Sequence, residues 1–472
     1  MSVRSSEKPE GLPEIVVVAP FWSQSDGMNW DSNYAYLRIV LPELSRLKPH
    51  WLFIVLWPES SYGNDPWKWH GDSFFTDRIV RYPWPYDTSV RTGALGFDPI
   101  RFRNLDYNVA PGIYWLHQTE MGAFISGGYK QSFNRSARPN IVAQHHYVIH
   151  DSLPYPMDGM FNRLWLQLGG AYVADRNVFN SEHCAKMLKQ TAAQFVGPTW
   201  LKKVEPTKTT LPFGLLTNET EVPIRPHDKP LIVYNHRQES YKQPLKTAAA
   251  IEAVRKMGDT VEVWATQQHG QNIKFFPVDK LVGDPVRAKY IQNIAVPAIN
   301  VSNSTHETYC IAMVDSIALG HLPLAPRGVT FPELVPADYP YLFSSEKEQI
   351  AMLHHLLTHW PAVYEEWSGQ LRHFAAKRFG LYAYARKYAD ILAEAGAEWL
   401  TVEPREHTVS GLNRFFASMK PGHYELQQVH RAIQKATNLQ SQAMTYRRTC
   451  REWAKGGGKY AWARNQLVLV WD

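Results

Sequence analysis

Cysteine is scarce in this chain: three residues in 472, Cys184, Cys310 and Cys450, far apart and odd in number. That fits neither a disulfide framework nor a cysteine-rich zinc site, and leaves reduced thiols in packed surroundings. Long apolar runs are also missing. No stretch approaches the roughly 18–20 apolar residues that span a bilayer, and the opening MSVRSSEKPEGLPE lacks the apolar core of a secretory signal. A cytoplasmic protein is expected, in the host cytoplasm if viral, with no membrane partner. Net charge is small too, at +6, but it is concentrated in one place. Residues 401–472 hold eleven Lys and Arg against five Asp and Glu, a net of 11 − 5 = +6, so residues 1–400 balance at 39 of each sign. A terminal segment that owns the whole excess suggests a polyanionic partner for that segment.

What is present is a 44% hydrophobic, 20% charged globular composition, long enough for two or three domains. EIVVVAPFW is a short β-branched run that stops at Pro20; a polar loop and a helical pattern through Leu44 follow, then a second apolar run, HWLFIVLWP. Strand, helix and strand in alternation predict a doubly wound parallel sheet. Residues 57–130 read as looser sequence, rich in Trp, Tyr, Pro and Gly. Strand-like runs resume at NIVAQHHYVIHDSLPYP and GAYVADRNVFNSEHCAKMLKQ, with Asn180 or Ser181 expected to cap a helix. A second start follows the linker TNETEVPIRPHDKP: LIVYNH as a strand, an amphipathic helix closed by Gly258, then TVEVWAT, AINVSNS and LPLAP. Helical sequence from Glu346 to about Leu400 is expected to close this second half.

The last seventy residues change character. Apolar residues recur at helical spacing in three sets: Val409, Leu412, Phe416 and Met419; Leu426, Val429, Ile433 and Ala436; Ala443, Tyr446, Cys450 and Trp453. A glycine turn and an alternating β-branched segment, AKGGGKYAWARNQLVLVWD, then predict a hairpin. Three helices and a hairpin predict a winged helix-turn-helix. On its third helix Arg447, Arg448, Arg451 and Lys455 lie opposite the apolar stripe, and Lys455 and Lys459 flank the wing tip, a layout suited to phosphate and groove contacts.

The stretch STHETYCIAMVD, residues 304–315, crowds a His, a Glu, a Cys and an Asp together. A metal reading fails on count, because His306 and Cys310 supply two ligands and no partner cluster is near in sequence. A Cys–His nucleophile is no better placed: Cys310 opens an apolar run, where a buried inert thiol is the usual case. Position gives the better reading. The stretch follows a strand and opens a helix at the carboxyl edge of a parallel sheet, where unpaired N–H groups favour a phosphate, and Glu307 and Asp315 can flank one ligand of nucleotide-sugar size.

HETYCIAMVDSIALGHLPLAP resembles the Glu, seven residues, Glu motif of the retaining family 4 of GT-B glycosyltransferases, with Asp315 in place of the second Glu. YNHRQESYKQP is similar to the Asn-His-Arg-x-Glu-x-x-Lys signature of the queuosine tRNA mannosyltransferase group, PRGVTFPELVP to its Pro-Glu-Leu segment, and HHYVIHDSLPYP to its His-Glu-Asn-Gln-x-x-Tyr-Pro stretch. The resemblance spans most of residues 140–340. It implies a GT-B fold, with an acceptor domain over 1–217 and a nucleotide-sugar donor domain over 218–400, ahead of the winged helix that the tail's own pattern predicts over 401–472. By the same resemblance Arg237 and Lys242 pair with the donor diphosphate. Glu307 and the backbone N–H groups of Thr308, Tyr309 and Cys310 lie at the phosphate and sugar, and Asp315 accepts the ribose hydroxyls. His146 or His150 takes the acceptor-side histidine's place, with His145 competing for it, and Gly27 lets the backbone approach the donor. No Asp-x-Asp triad is present, so no metal is expected in the chemical step and no cofactor beyond the co-substrate.

A sugar transferase with a DNA-reading tail narrows the acceptor. The expected activity is that of a bacteriophage-type hexosyltransferase, moving a sugar from UDP-glucose to the hydroxyl of a 5-hydroxymethylcytosine or 5-hydroxymethyluracil in double-stranded DNA, with retention, as a monomer. Two alternatives stand beside it. One is a tRNA-modifying glycosyltransferase, which a winged helix suits less well than B-form grooves; the other is a non-catalytic DNA-binding sensor of a nucleotide sugar.

Overall fold

The β-branched run Ile15–Ala19 forms β1, buried along its whole length, as expected of a strand covered on both faces. Leu52–Pro58 (β2) lies parallel on one side of it, followed by Ile79–Trp84 (β3). On the other side come Ile113–Leu116 (β4) and Asn140–His145 (β5), again parallel, then Arg176–Phe179 (β6) and Lys208–Thr210 (β7). The order β3-β2-β1-β4-β5-β6-β7 reverses direction between β1 and β4, which makes that crevice the topological switch point of the sheet. The computed structural model describes residues 14–19, 32–58, 75–84, 105, 111–133, 139–148, 157–236, 240–266, 278–284, 286–398, 415–437, 449, 453, 459–463 and 466–471.

A second sheet of six strands takes the order β10-β9-β8-β11-β12-β13, built from Leu231–Tyr234 (β8), Glu262–Ala265 (β9), Lys280–Leu281 (β10), Ile299–Val301 (β11), Leu322–Pro326 (β12) and Leu342–Phe343 (β13). All its pairings are parallel, and its switch point falls between β8 and β11. Helix Pro244–Lys256 ends at Gly258, which adopts φ +100° as a closing glycine should. Ser181, rather than Asn180, caps helix Glu182–Phe195, its hydroxyl accepting from the Cys184 amide at 2.9 Å.

Two readings from sequence need correction. The segment 57–130 is not merely loose: it holds β3, β4 and helix Met121–Phe133. Pro83 and the brevity of β4 break the period-two pattern that marks a strand. The helical sequence after Glu346 does form three helices, Glu346–Thr358, Ala362–Phe379 and Leu381–Glu398, but it does not simply close the second half. Two compact units divide the chain, one of Met1–Gln144, Gly169–Asn177 and Arg386–Asp472, the other of His145–Leu168 and Val178–Ala385. The end of the last helix therefore belongs with β1 and β4. Its buried Tyr388, Ala389, Leu392 and Ala395 form an apolar stripe, and the Tyr388 hydroxyl accepts from the Trp115 indole at 2.8 Å.

The tail has a three-stranded antiparallel sheet in the order β14-β16-β15, from Gly422–Glu425 (β14), Lys459–Ala463 (β15) and Gln466–Trp471 (β16). Helix Leu426–Thr437 follows β14, and Thr449 and Trp453 are helical. Residues from each of the three apolar stripes meet here: Trp453, fully buried, stands 6.3 Å from the Phe416 ring and 5.1 Å from Trp471, while Val429 and Ile433 are buried beside His430, whose Nδ1 lies 2.7 Å from the Thr449 hydroxyl.

Candidate functional site

The loops that leave β8 and β11 converge at the switch point of the second sheet. Beyond β8, Asn235 Nδ2 lies 2.8 Å from Ala312 O, 3.0 Å from the Tyr290 hydroxyl and 3.1 Å from Ser316 Oγ, three acceptors for its two N–H groups, while its own carbonyl accepts from Asn300 at 2.8 Å. Asn300 lies on β11 and also donates to Val233 O at 3.0 Å. The start of the β8 loop is thus tied to β11 and to helix Ile311–Ala318. Further along, the Tyr241 carbonyl accepts from the Thr305 amide at 2.9 Å and its hydroxyl at 3.2 Å, which fixes the two loops side by side.

These ties bring Lys242 against Glu307, 65 residues on: the ammonium donates to Glu307 Oε1, and both side chains are mostly buried. A carboxylate with this little water access is stable only when paired, and Lys242 supplies the charge. His236 approaches the same point, its Nδ1 lying 3.8 Å from Cys310 Sγ. Burial, with the Lys242 charge adding to it, pushes the His236 imidazole down to about 3, so it is neutral at physiological pH. Burial and the Glu307 carboxylate push the Cys310 thiol up, which leaves it a neutral packing group.

His236, Glu307 and Cys310 bring their ligating atoms within 4.8 Å of one another, a grouping that the sequence stretch alone did not contain. Lys242 already meets the carboxylate's demand for positive charge there. Cys310 occupies the N-cap of helix Ile311–Ala318 with no side-chain cap, so the first-turn N–H groups have no capping acceptor from that residue.

Asp315 lies one turn into that helix, with both oxygens engaged by Arg287 at 2.7 and 3.2 Å. Arg287 Nη2 also stands 3.1 Å from Glu219 Oε1, and Glu219 Oε2 accepts from the Thr217 and Asn218 amides at 2.7 and 3.1 Å. Burial alone lowers the Arg287 guanidinium, but the facing Asp315 carboxylate outweighs it and holds the group firmly charged. Neither Arg287 nor Glu219 carries a local sequence signal, since they lie 28 and 96 residues before Asp315.

The remaining expected residues divide clearly. Thr308 donates its hydroxyl to the His146 carbonyl at 2.7 Å, and its own carbonyl accepts from Ser181 Oγ at 2.6 Å. Tyr309 is buried and donates to Phe213 O at 2.8 Å. His146 therefore sits beside the 304–310 loop, with its ring 5.1 Å from Phe213; burial first and His145 second push its imidazole down to about 3. His145 instead stacks on Phe179 at 4.2 Å. Lys242, Glu307, Thr308, Tyr309, Cys310, Asp315 and His146 are thus within one unit. Arg237, His150, Gly27, Arg447, Arg448, Arg451 and Lys455 lie outside the described residues, and Lys459 is described only as the first residue of β15.

Two Rossmann-like sheets, with the end of helix Leu381–Glu398 grouped with the first, define a GT-B architecture. No known protein-family profile matches the chain. The fold is similar to that of the lipopolysaccharide outer core galactosyltransferase WaaB, at 10% identity and TM-score 0.53, covering 81% of this chain and 99% of that one. It is similar as well to a glycosyltransferase from Rickettsia africae, at 13% identity and TM-score 0.53, over 84% and 100% of the two chains. A trehalose-6-phosphate protein from E. coli, bound with UDP-2-fluoro glucose, matches at 9% identity and TM-score 0.51, over 83% and 100%. Among the described residues no helix is long and apolar enough to cross a membrane.

Proposed function

We propose that this protein is a glycosyltransferase that moves a sugar from a nucleotide-sugar donor, UDP-glucose, to the hydroxyl of a 5-hydroxymethylpyrimidine in DNA, with retention at the sugar. The observation that carries the reading is the buried Lys242–Glu307 pair beside an uncapped helix start at the switch point of a parallel sheet. Such an edge offers N–H groups and a fixed cation to a diphosphate. Lys242, with Arg237 beside it in sequence, stabilises the charge that grows on the leaving diphosphate, and a phosphate oxygen of the donor takes the acceptor proton. Neutral His146 serves as a hydrogen-bonding group towards the sugar rather than as an acid. Asp315 receives the ribose through hydroxyl contacts that share its carboxylate with Arg287.

The acceptor reading rests on the tail. Strand, helix, helical residues and a hairpin in the order β14-β16-β15 suit a winged helix over 401–472, and that segment holds all the net positive charge. Incubation with UDP-glucose and DNA carrying hydroxymethylcytosine, hydroxymethyluracil or neither, followed by digestion to nucleosides and mass spectrometry, tests it. A hexosylated hydroxymethyl nucleoside is expected. Transfer to tRNA instead would move the acceptor to RNA, and no glycosylated product from any DNA would end the DNA reading.

A further inference from the structure

A second polar constellation, outside the donor site, lies at the carboxyl edge of the first sheet. β4 is followed by His117-Gln118-Thr119-Glu120, four polar residues that are all buried, and the adjacent β5 contributes Gln144, also buried. The register Leu116↔Ala143, carried one residue further, sets His117 level with Gln144 on the same face. Neither amide atom of Gln144 has a hydrogen-bond partner among the described residues, and neither has Gln118 Oε1. A buried carboxamide without partners is costly to a folded protein, and when it stands at a sheet's ligand-binding edge the economical explanation is that its partner is the ligand.

The surroundings are built to hold these groups still. A side chain at Gly170 would meet the Thr119 carbonyl at 1.8 Å, and one at Gly122 would meet the Gly170 backbone at 3.1 Å, so the turn after β4 presses directly on helix Met157–Val173. The His117 amide is anchored to Ala19 O at 2.9 Å, and its ring continues a column with Trp115 at 4.6 Å and Tyr36 at 5.3 Å. Unsatisfied amides are the chemistry that reads a planar heterocycle by its edge. A carboxamide presents an adjacent donor and acceptor, as does the pairing edge of a pyrimidine, and it turns over to suit either cytosine or uracil.

We propose that Gln144, assisted by Gln118, hydrogen-bonds the edge of the acceptor's pyrimidine base once that base is out of the DNA stack. The inference rests on the DNA acceptor reading given above and assigns residues to it. Gln144→Leu removes both hydrogen-bonding atoms at similar volume. The KM for hydroxymethylated DNA is expected to rise roughly 10- to 100-fold, the KM for UDP-glucose to stay as in the wild type, and the melting temperature not to fall, since no internal hydrogen bond is lost. A merely structural Gln144 would lower the melting temperature instead.

An unchanged DNA KM or a raised UDP-glucose KM in Gln144→Leu would overturn the assignment while leaving the acceptor reading in place. A wild-type protein that glycosylates no DNA would overturn both.

Discussion

The carboxyl edges of the two parallel sheets share a topology but differ in their ion pairing. At the second edge the ionic groups are matched within the protein: Lys242 with Glu307, and Arg287 with Asp315 and Glu219, across loops cross-tied through Asn235 and Asn300. At the first edge, buried Gln144 and Gln118 carry amide atoms with no partner among the described residues. A charged ligand needs a site whose countercharges are held in place beforehand, so that little reorganisation accompanies binding. A neutral heterocycle needs donors and acceptors left open for it. On the proposed reading, one edge receives a diphosphate and the other a base.

The largest expected effect comes from breaking the satisfied edge at its centre. Lys242→Ala should lower kcat roughly 10²- to 10³-fold through loss of charge stabilisation on the leaving group. It should also destabilise the fold, because Glu307 is left buried and alone. The paired change Lys242→Met with Glu307→Gln separates the two effects: thermal melting should recover while single-turnover transfer does not. Recovery of transfer in the pair would remove Lys242 from the chemistry.

Arg287→Ala probes the same edge by stability and pH. Burial raises the Asp315 carboxyl even with Arg287 beside it, so protonation favours the folded state, and the stability withheld at neutral pH returns as pH falls through the folded pKa. Without Arg287 that withheld stability grows. The variant should lose about 3 kcal/mol at pH 7 and regain part of the loss at pH 5 relative to wild type, as read from urea midpoints. A deficit that is the same at both pH values would show that Asp315 does not depend on Arg287 for its charge.

How much of this was legible in the sequence follows from the range of each signal. β1, β2 and β8 are apolar runs with β-branched residues, as a strand covered on both faces favours, and β5 keeps a shorter one at Ile141, Val142 and Ala143, so local sequence reveals them. β3 and β4 escape because Pro83 interrupts one and the other is four residues long. Glu307 and Lys242 were visible through a resemblance and through their position after strands. Arg287 and Glu219 were not, and His236, although inside the same matched stretch as Lys242, was given no role, because these roles exist only once loops distant in sequence are brought side by side. Gln144 stands next to two histidines that draw the eye first, and its missing partners are a property of burial, which one strand cannot show.

Charge in the tail tests whether the proposed base-reading edge is supplied with DNA by a separate element. Replacing Arg447, Arg451 and Lys455 with Gln should weaken DNA binding roughly 10- to 30-fold at moderate salt and flatten the slope of log affinity against log salt by about 2–3, near 0.9 for each phosphate no longer neutralised. The KM for UDP-glucose should not move. Fluorescence anisotropy across a salt series measures the slope, and an unchanged slope would place DNA binding elsewhere.

The smallest expected effect is at Ser181, where one hydroxyl does two jobs. It accepts from the Cys184 amide at 2.9 Å, capping helix Glu182–Phe195, and donates to the Thr308 carbonyl at 2.6 Å, next to Glu307. Loss of an N-cap costs about 1 kcal/mol. The same helix start is shielded from the full loss, because the Glu333 carboxylate accepts from the Glu182 and His183 amides at 2.8 Å each. Ser181→Ala should therefore lower stability by about 1 kcal/mol or less, while Ser181→Gly, which keeps most of the backbone preference of a cap, costs a few tenths. Their effect on the UDP-glucose KM should be the same, because both free the Thr308 carbonyl equally. If Ser181→Ala changes melting but not that KM, the hydroxyl matters only as a cap, and the order of the donor loop rests on Thr308 and His146 without it.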